Sequence, residues 1–260
     1  MHYNTRSRGW AMQIIPLSEG AFTVDKSKQF VPFDLQNDRI DQRPAGSLLV
    51  EIQPFVVVTA KDILLFDTGL GFKNSENILQ LHANLLANGI NPADVTKVLL
   101  SHLHKDHAGG ISEKVDSGGI QPSFENAVYY INQEEFAAAF DKGIQGYDVN
   151  NLAVLKDSPQ LKLVDGNGII DGYISYEHTG GHSPFHQVFR IKDGDNKIFF
   201  GGDVAPQYQQ MKTKFVAKYD FDGKKSMELR KKWWEQGREE KWTFLFYHDI
   251  KCPLYRFGQL

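Results

Sequence analysis

Ser101-His102-Leu103-His104-Lys105-Asp106-His107 is the stretch on which the reading of this chain turns. Four metal-donor side chains, His102, His104, Asp106 and His107, fall within six residues. Lys97-Val98-Leu99-Leu100 before them reads as a short buried strand, and Ala108-Gly109-Gly110 follows. The donors therefore sit on a loop at a strand end, where a rigid sheet holds functional groups in place. Imidazole suits zinc and several other divalent transition ions, and aspartate adds charge and a harder oxygen. One loop cannot complete two four- or five-coordinate sites, so further donors are expected from elsewhere.

Three such donors stand out, each just after an apolar strand. His182 lies in Thr179-Gly180-Gly181-His182-Ser183-Pro184-Phe185-His186, where two glycines allow close backbone approach. Asp203 follows Lys197-Ile198-Phe199-Phe200 and two more glycines, and His248 follows Trp242-Thr243-Phe244-Leu245-Phe246-Tyr247. A site assembled from several strand ends is the expected outcome.

Outward from these loops, strand signals appear at Ile14-Ile15, Ser47 to Ile52, Phe55 to Thr59 and Asp62 to Asp67, the last two as a hairpin. They return at Ala127 to Ile131, Leu161 to Val164, Tyr173 to Tyr176 and Gln187 to Ile191. Helical spacing of Ile78, Leu81, Leu85 and Leu86 predicts a helix between Ser75, as N-cap, and Gly89. Two more helices are expected over Gln133 to Phe140 and Ser226 to Arg238. Strands precede helices in both halves and no early glycine-rich dinucleotide fingerprint occurs, which favours a layered α/β sandwich over a Rossmann sheet.

Composition narrows the function classes. Lysine and arginine number 29 against 32 aspartates and glutamates, a net charge of -3, so nothing draws the chain to nucleic acid. The basic run Lys224-Lys225 and Arg230-Lys231-Lys232 is interleaved with glutamates and reads as a solvated helix face. Cys252 is the only cysteine, which rules out an intramolecular disulfide and a cysteine metal cluster, and a buried structural thiol is its expected role. No segment approaches bilayer-spanning length, so no membrane partner is expected and a cytoplasmic location is the default. The expected organisation is one domain over residues 12–260, with 1–11 a leader or an expression remnant.

Together these motifs resemble the metallo-β-lactamase superfamily, whose order of His-x-His-x-Asp-His, Gly-His, Asp and final His is met from about Leu64 to Asp249. The resemblance implies the α/β class, as a four-layer αβ/βα sandwich with metals at one edge between two sheets. It implies that His102, His104 and His182 hold a first metal ion, that Asp106, His107 and His248 hold a second, and that Asp203 bridges them. Asp67, in Leu64-Leu65-Phe66-Asp67-Thr68-Gly69, would accept a hydrogen bond from a ligand imidazole and fix its orientation. His186 would stand behind the ligands, while His178 and His82 would not ligate.

The implied cofactors are two divalent metal ions, zinc first, with iron or manganese as alternatives. The implied activity is hydrolysis by a metal-bridging hydroxide, with Asp106 also relaying the proton. No serine nucleophile is needed, in keeping with the lack of a Gly-x-Ser-x-Gly elbow. A bridging Asp203 resembles the glyoxalase II, lactonase and phosphotriesterase-like branches and not the true β-lactamases. The nearest likeness is to N-acyl homoserine lactone lactonases and their organophosphate-hydrolase relatives. It rests on Ser101 to Gly110, Gly181 to Gln187 and Tyr247-His248-Asp249. One departure stands out: many such lactonases carry a tyrosine three residues after the bridging aspartate, where this chain has Pro206, with Tyr208 nearest. A lactonase acting on a small molecule is the leading expectation. A thioesterase, a phosphotriesterase and a non-enzymatic metal-binding ligand sensor are the alternatives. Oligomeric state stays open, a dimer included. Substrate contacts are unassigned beyond three segments: the one before Asp34, the loop from Gly110 to Asn126, and Gln207 to Lys225 with Phe215, Tyr219 and Phe221.

Overall fold

The computed structural model describes residues 12–115, 118–141 and 146–258; residues 1–11, expected as a leader or an expression remnant, and part of the segment from Gly143 to Tyr147, which reads as a loop in the sequence, lie outside them. Two six-stranded sheets face each other. The first runs Gln13–Pro16, Phe55–Val58, Ile63–Phe66, Lys97–Leu99, Val128–Asn132, Leu161–Val164 in spatial order. The second runs Asn167–Ile170, Ile174–His178, Gln187–Asp193, Asn196–Phe200, Thr243–Leu245, Leu254–Arg256. Gly20–Val24, flanked by Phe30–Pro32 and Leu48–Ile52, forms a smaller sheet beside them.

Alternation along the strands sorts side chains into layers. In Phe55–Val58, Phe55 and Val57 face the cluster between the sheets, while Val56 and Val58 face the cluster under the helices of the first sheet. Phe199 turns outward under the helix Gly223–Glu240 with Trp233, Trp242 and Phe244, while Phe200 turns inward to Phe55 and Phe66. The first sheet's outer face is covered by the helices Gln80–Ala87 and Gln133–Ala139, through Leu81, Leu85, Phe136 and Ala139. Helix, sheet, sheet, helix is the four-layer sandwich expected from the sequence. No helix among the described residues is long and apolar enough to cross a membrane.

Three local readings differ. The first helix starts at Gln80, not Ser75, because the Asn74 side chain accepts from the backbone of Glu76 and Ile78 and holds a turn there. Ile78 and Leu86 are accordingly exposed, and Gly89 ends the helix at φ +74° as expected. Arg230 is not on a solvated face: it is buried and donates to the carbonyls of Val204 and Phe215, tying the last helix to the segment beyond Asp203. Cys252 is half-buried rather than buried.

Candidate metal centre

The donors converge because four strand ends of the two sheets meet along one edge. Asp67 follows Ile63–Phe66, the His102 loop follows Lys97–Leu99, Asp203 follows Asn196–Phe200 and His248 follows Thr243–Leu245. Backbone contacts lock the His102 loop against the Asp67 turn: Thr68 N–H donates to His107 O at 2.6 Å and Gly109 N–H to Gly69 O at 2.8 Å. Glycine is required at this approach, since a Cβ on Gly71 would stand 2.2 Å from Gly109 O, and Gly71 has φ +72°.

All seven expected donors come together. His104 Nδ1 lies 2.9 Å from His102 Nε2 and 3.1 Å from His182 Nε2, so three ring nitrogens face one point. On the other side, Asp106 Oδ2 lies 3.6 Å from His107 Nε2 and 3.5 Å from His248 Nε2. Asp203 stands between the groups. Its Oδ1 is 3.1 Å from His107 Nε2 and 3.0 Å from His248 Nε2, and its Oδ2 is 3.3 Å from His182 Nε2. The trios His102, His104, His182 and Asp106, His107, His248, as well as His102, His107, Asp203, could each hold a metal ion.

The surroundings fit such ions. The Nδ1 atoms of four rings are engaged away from the centre: His102 with Ser101 Oγ at 3.1 Å, His107 with Asp67 Oδ2 at 2.7 Å, His182 with Asp220 Oδ1 at 2.9 Å and His248 with Glu51 O at 2.7 Å. A proton on each Nδ1 leaves the Nε2 lone pair facing the cluster, which is how outer partners prepare metal ligands. His107 Nε2 and Asp203 Oδ1 are buried without a hydrogen-bond partner. A cation there would satisfy both.

Electrostatics point the same way. Burial, then the neighbouring His107, His104 and His182, hold His102 well below its ordinary pKa, and burial and His182 push His104 down to about 3. Burial opposes charge on His107 too, but Asp203, Asp106 and Asp67 overcome it and hold the ring well above its ordinary range. Burial likewise works against ionised Asp203, yet His248, His107 and His182 keep its carboxyl well below the usual range. The cluster thus attracts positive charge that a metal can supply in place of protons.

Asp67 sits at φ +55° and also accepts from Ser101 N–H and Oγ, each at 2.7 Å. His186 lies behind the centre, its Nε2 accepting from Asp203 N–H at 3.2 Å and its Nδ1 3.0 Å from Thr179 Oγ1. His178 contacts Pro184 O and His82 packs on Phe124, both outside the trios. Sequence reading missed Asp220, Glu135, Tyr147 and Tyr247. Tyr247 stacks on His107 at 4.1 Å and donates to Asp106 O, and Tyr147 packs on His104 at 5.6 Å. Adjacency to His248 could have signalled Tyr247, and Glu135 lies just past the strand Val128–Asn132, whereas Asp220 and Tyr147 carry no such signal.

The tyrosine nearest to Pro206 in sequence does not stand at the centre. Tyr208 packs among Trp234, Phe246 and Tyr255, away from the donors. Tyr219 instead lies with its ring 6.1 Å from His182, and is 46% exposed. Burial, then Asp203 and Asp220, push its hydroxyl up to about 12. Next to the His102 loop a recess of about 290 Å³ is lined by Phe30, Leu70, Phe72, Lys105 and Gly109. The segment before Asp34 therefore contributes to a recess beside the centre, whereas none of the described residues between Gly110 and Asn126 lines it. A second recess of about 350 Å³, among residues 23–44, includes none of the seven donors.

Comparison with known proteins agrees with this geometry. The family model described as the metallo-beta-lactamase superfamily matches residues 51–233. The N-acyl homoserine lactonase AttM of Agrobacterium fabrum (strain C58 / ATCC 33970) is 32% identical over 122 residues, 43% of this chain and 41% of that protein. The chain thus spans about two fifths of the length of the curated relatives it matches first. A probable metal-dependent hydrolase from Staphylococcus aureus superposes with TM-score 0.73 at 23% identity, over 94% of this chain and 92% of that one. A dizinc quorum-quenching lactonase in complex with a product superposes with TM-score 0.69 at 20% identity, over 94% and 89%. At these identities the likeness to solved structures speaks for the fold.

Proposed function

This chain belongs to the metallo-β-lactamase superfamily, and on that premise we propose that it is a dinuclear-metal hydrolase that opens lactones of the N-acyl homoserine lactone kind. The observation that carries the reading is Asp203, whose two carboxyl oxygens face different donor groups. His102, His104 and His182 would hold one ion, Asp106, His107 and His248 the other, with Asp203 shared. Zinc is the proposed metal, supported by the nitrogen-rich donor set and by the dizinc centre named for a similar structure. The ions, when bound, supply an acidified water and Lewis-acid polarisation of the carbonyl at neutral pH.

The chain's own groups do the rest. Asp106, 14% exposed, accepts the proton from the attacking water and returns it to the ring oxygen as the carbon–oxygen bond of the lactone breaks. Tyr219, protonated at neutral pH, donates a hydrogen bond to the substrate carbonyl oxygen as negative charge develops there. Phe30, Leu70 and Phe72 take an apolar acyl substituent in the neighbouring recess. The substrate is a small molecule met in the cytoplasm. The test is parallel turnover of acyl homoserine lactones, thioesters and aryl phosphotriesters by the zinc-loaded protein. Lactone opening should exceed the other two, and inert lactones across short and long acyl chains would sink the lactonase reading.

A further inference from the structure

Glu135 is fully inside the protein, 1% exposed, and among the described residues its carboxylate is held by one backbone N–H and two hydroxyl groups. Asn132 caps the helix Gln133–Ala139 by accepting from the N–H groups of Glu134 and Glu135, which fixes the first turn and aims the Glu135 side chain at the donor loops. Its Oε1 accepts from Leu103 N–H at 3.0 Å and from Tyr147 O–H at 3.0 Å; its Oε2 accepts from Ser183 O–H at 3.0 Å. Leu103 separates His102 from His104, Ser183 follows His182, and Tyr147 packs on His104. Every histidine of the first trio is therefore adjacent to a group held by this one carboxylate. No group it holds neighbours His248 or Asp203 in sequence.

We propose that Glu135 is a positioning residue for the first metal site, tying the His102–His104 loop to the His182 loop so that three ring nitrogens meet at one point. The inference rests on the dinuclear reading above. It separates geometry from charge in a testable way. Glutamine can keep all three contacts: its amide oxygen takes Leu103 N–H and Tyr147 O–H, and its NH₂ donates to Ser183 Oγ, a hydroxyl that can also accept. Alanine removes the tie altogether.

The experiment dialyses the zinc-loaded full chain against graded chelator and counts bound zinc by elemental analysis. Wild type should release its two zinc ions at two chelator strengths. Glu135→Ala should release one ion at roughly ten- to a hundred-fold weaker chelation, the range for loss of an outer partner of a metal ligand, with the other ion unchanged. Glu135→Gln should restore the first ion to within about threefold of wild type, since the geometry survives. Ser183→Ala, which cuts only the link to the His182 loop, should weaken the first ion in the same direction; it also keeps the test decisive if Glu135→Ala does not fold. Both ions held as tightly as in wild type by Glu135→Ala, or by Ser183→Ala where only that variant folds, would overturn the assignment. So would equal weakening of both ions. A wild type that binds no zinc would instead overturn the dinuclear reading itself.

Discussion

Replacing Asp67 by asparagine should leave the fold intact and disable one metal ligand. Asp67 is completely buried, and both of its oxygens meet donors: Oδ1 accepts Ser101 N–H at 2.7 Å, while Oδ2 accepts Ser101 Oγ and His107 Nδ1, each at 2.7 Å. The amide NH₂ of asparagine must face one of these. A backbone N–H cannot change role, whereas imidazole can move its proton, so the NH₂ should face His107 and force Nδ1 to accept. The ring proton then sits on Nε2, the atom 3.1 Å from Asp203 Oδ1, and the lone pair needed for a metal ion is gone. Loss of an outer partner typically weakens metal binding roughly ten- to a hundred-fold, about 1.4–2.8 kcal/mol. Asparagine also tolerates the φ of +55° at this position. Alanine does not help the comparison: it would orphan Ser101 N–H and His107 Nδ1–H at ~1–3 kcal/mol each, a large part of a typical 5–15 kcal/mol stability. The assay is zinc release into graded chelator together with thermal unfolding. One zinc ion released early at near-wild-type unfolding temperature is the expected result. Unchanged affinity for both ions in Asp67→Asn would refute the tautomer reasoning.

Other expectations follow from single contacts. Tyr219→Phe should lower kcat for lactone opening roughly ten- to a hundred-fold with KM and zinc content little changed, as removal of one transition-state donor does; an unchanged kcat would remove Tyr219 from the reaction. Gly71→Ala should cost about 2–5 kcal/mol of stability, from overpacking against Gly109 O and from the positive φ, and denaturant titration reads it directly. Glu19 is pushed by burial from the ordinary 4.5 to about 7, with Leu70 N–H opposing. The folded state thus holds this proton more tightly than the unfolded one. Its contribution is complete below about pH 4.5 and is lost as pH rises to about 7. Glu19→Gln should therefore flatten the fall of stability across that window, and parallel pH profiles for the two proteins would contradict the burial argument.

Much of the site could be read in the sequence because four donors, two for each ion, are dense in one loop, and His182, Asp203 and His248 each follow an apolar strand. Those seven side chains converge in the structure, and Asp67 meets His107 as the sequence suggests. What escaped detection is held by distance in the chain. Asp220 reaches His182 across 38 residues and Glu135 reaches Ser183 across 48, and neither belongs to a recognisable pattern of its own. Tyr219 was legible as one residue of the Gln207 to Lys225 segment, but its place beside His182 was not, because it depends on Phe221 N–H donating to His182 O, which brings the 219–222 segment beside the centre. The sandwich was legible from β-branched and aromatic runs. Short strands such as Gly20–Val24 and Asn167–Ile170 were not, since each contains glycine and few large apolar residues. The start of the first helix was misplaced because Ile78 has helical spacing but lies in the turn that Asn74 holds.

The most direct measurement is zinc stoichiometry taken together with N-acyl homoserine lactone turnover on the same preparation, before and after chelation and after zinc is restored. The expected result is two zinc ions per chain, lactone opening that vanishes when they are removed, and recovery when they return. Turnover that persists in the zinc-free chain, or a chain that carries two zinc ions and leaves lactones of every acyl length intact, would contradict it.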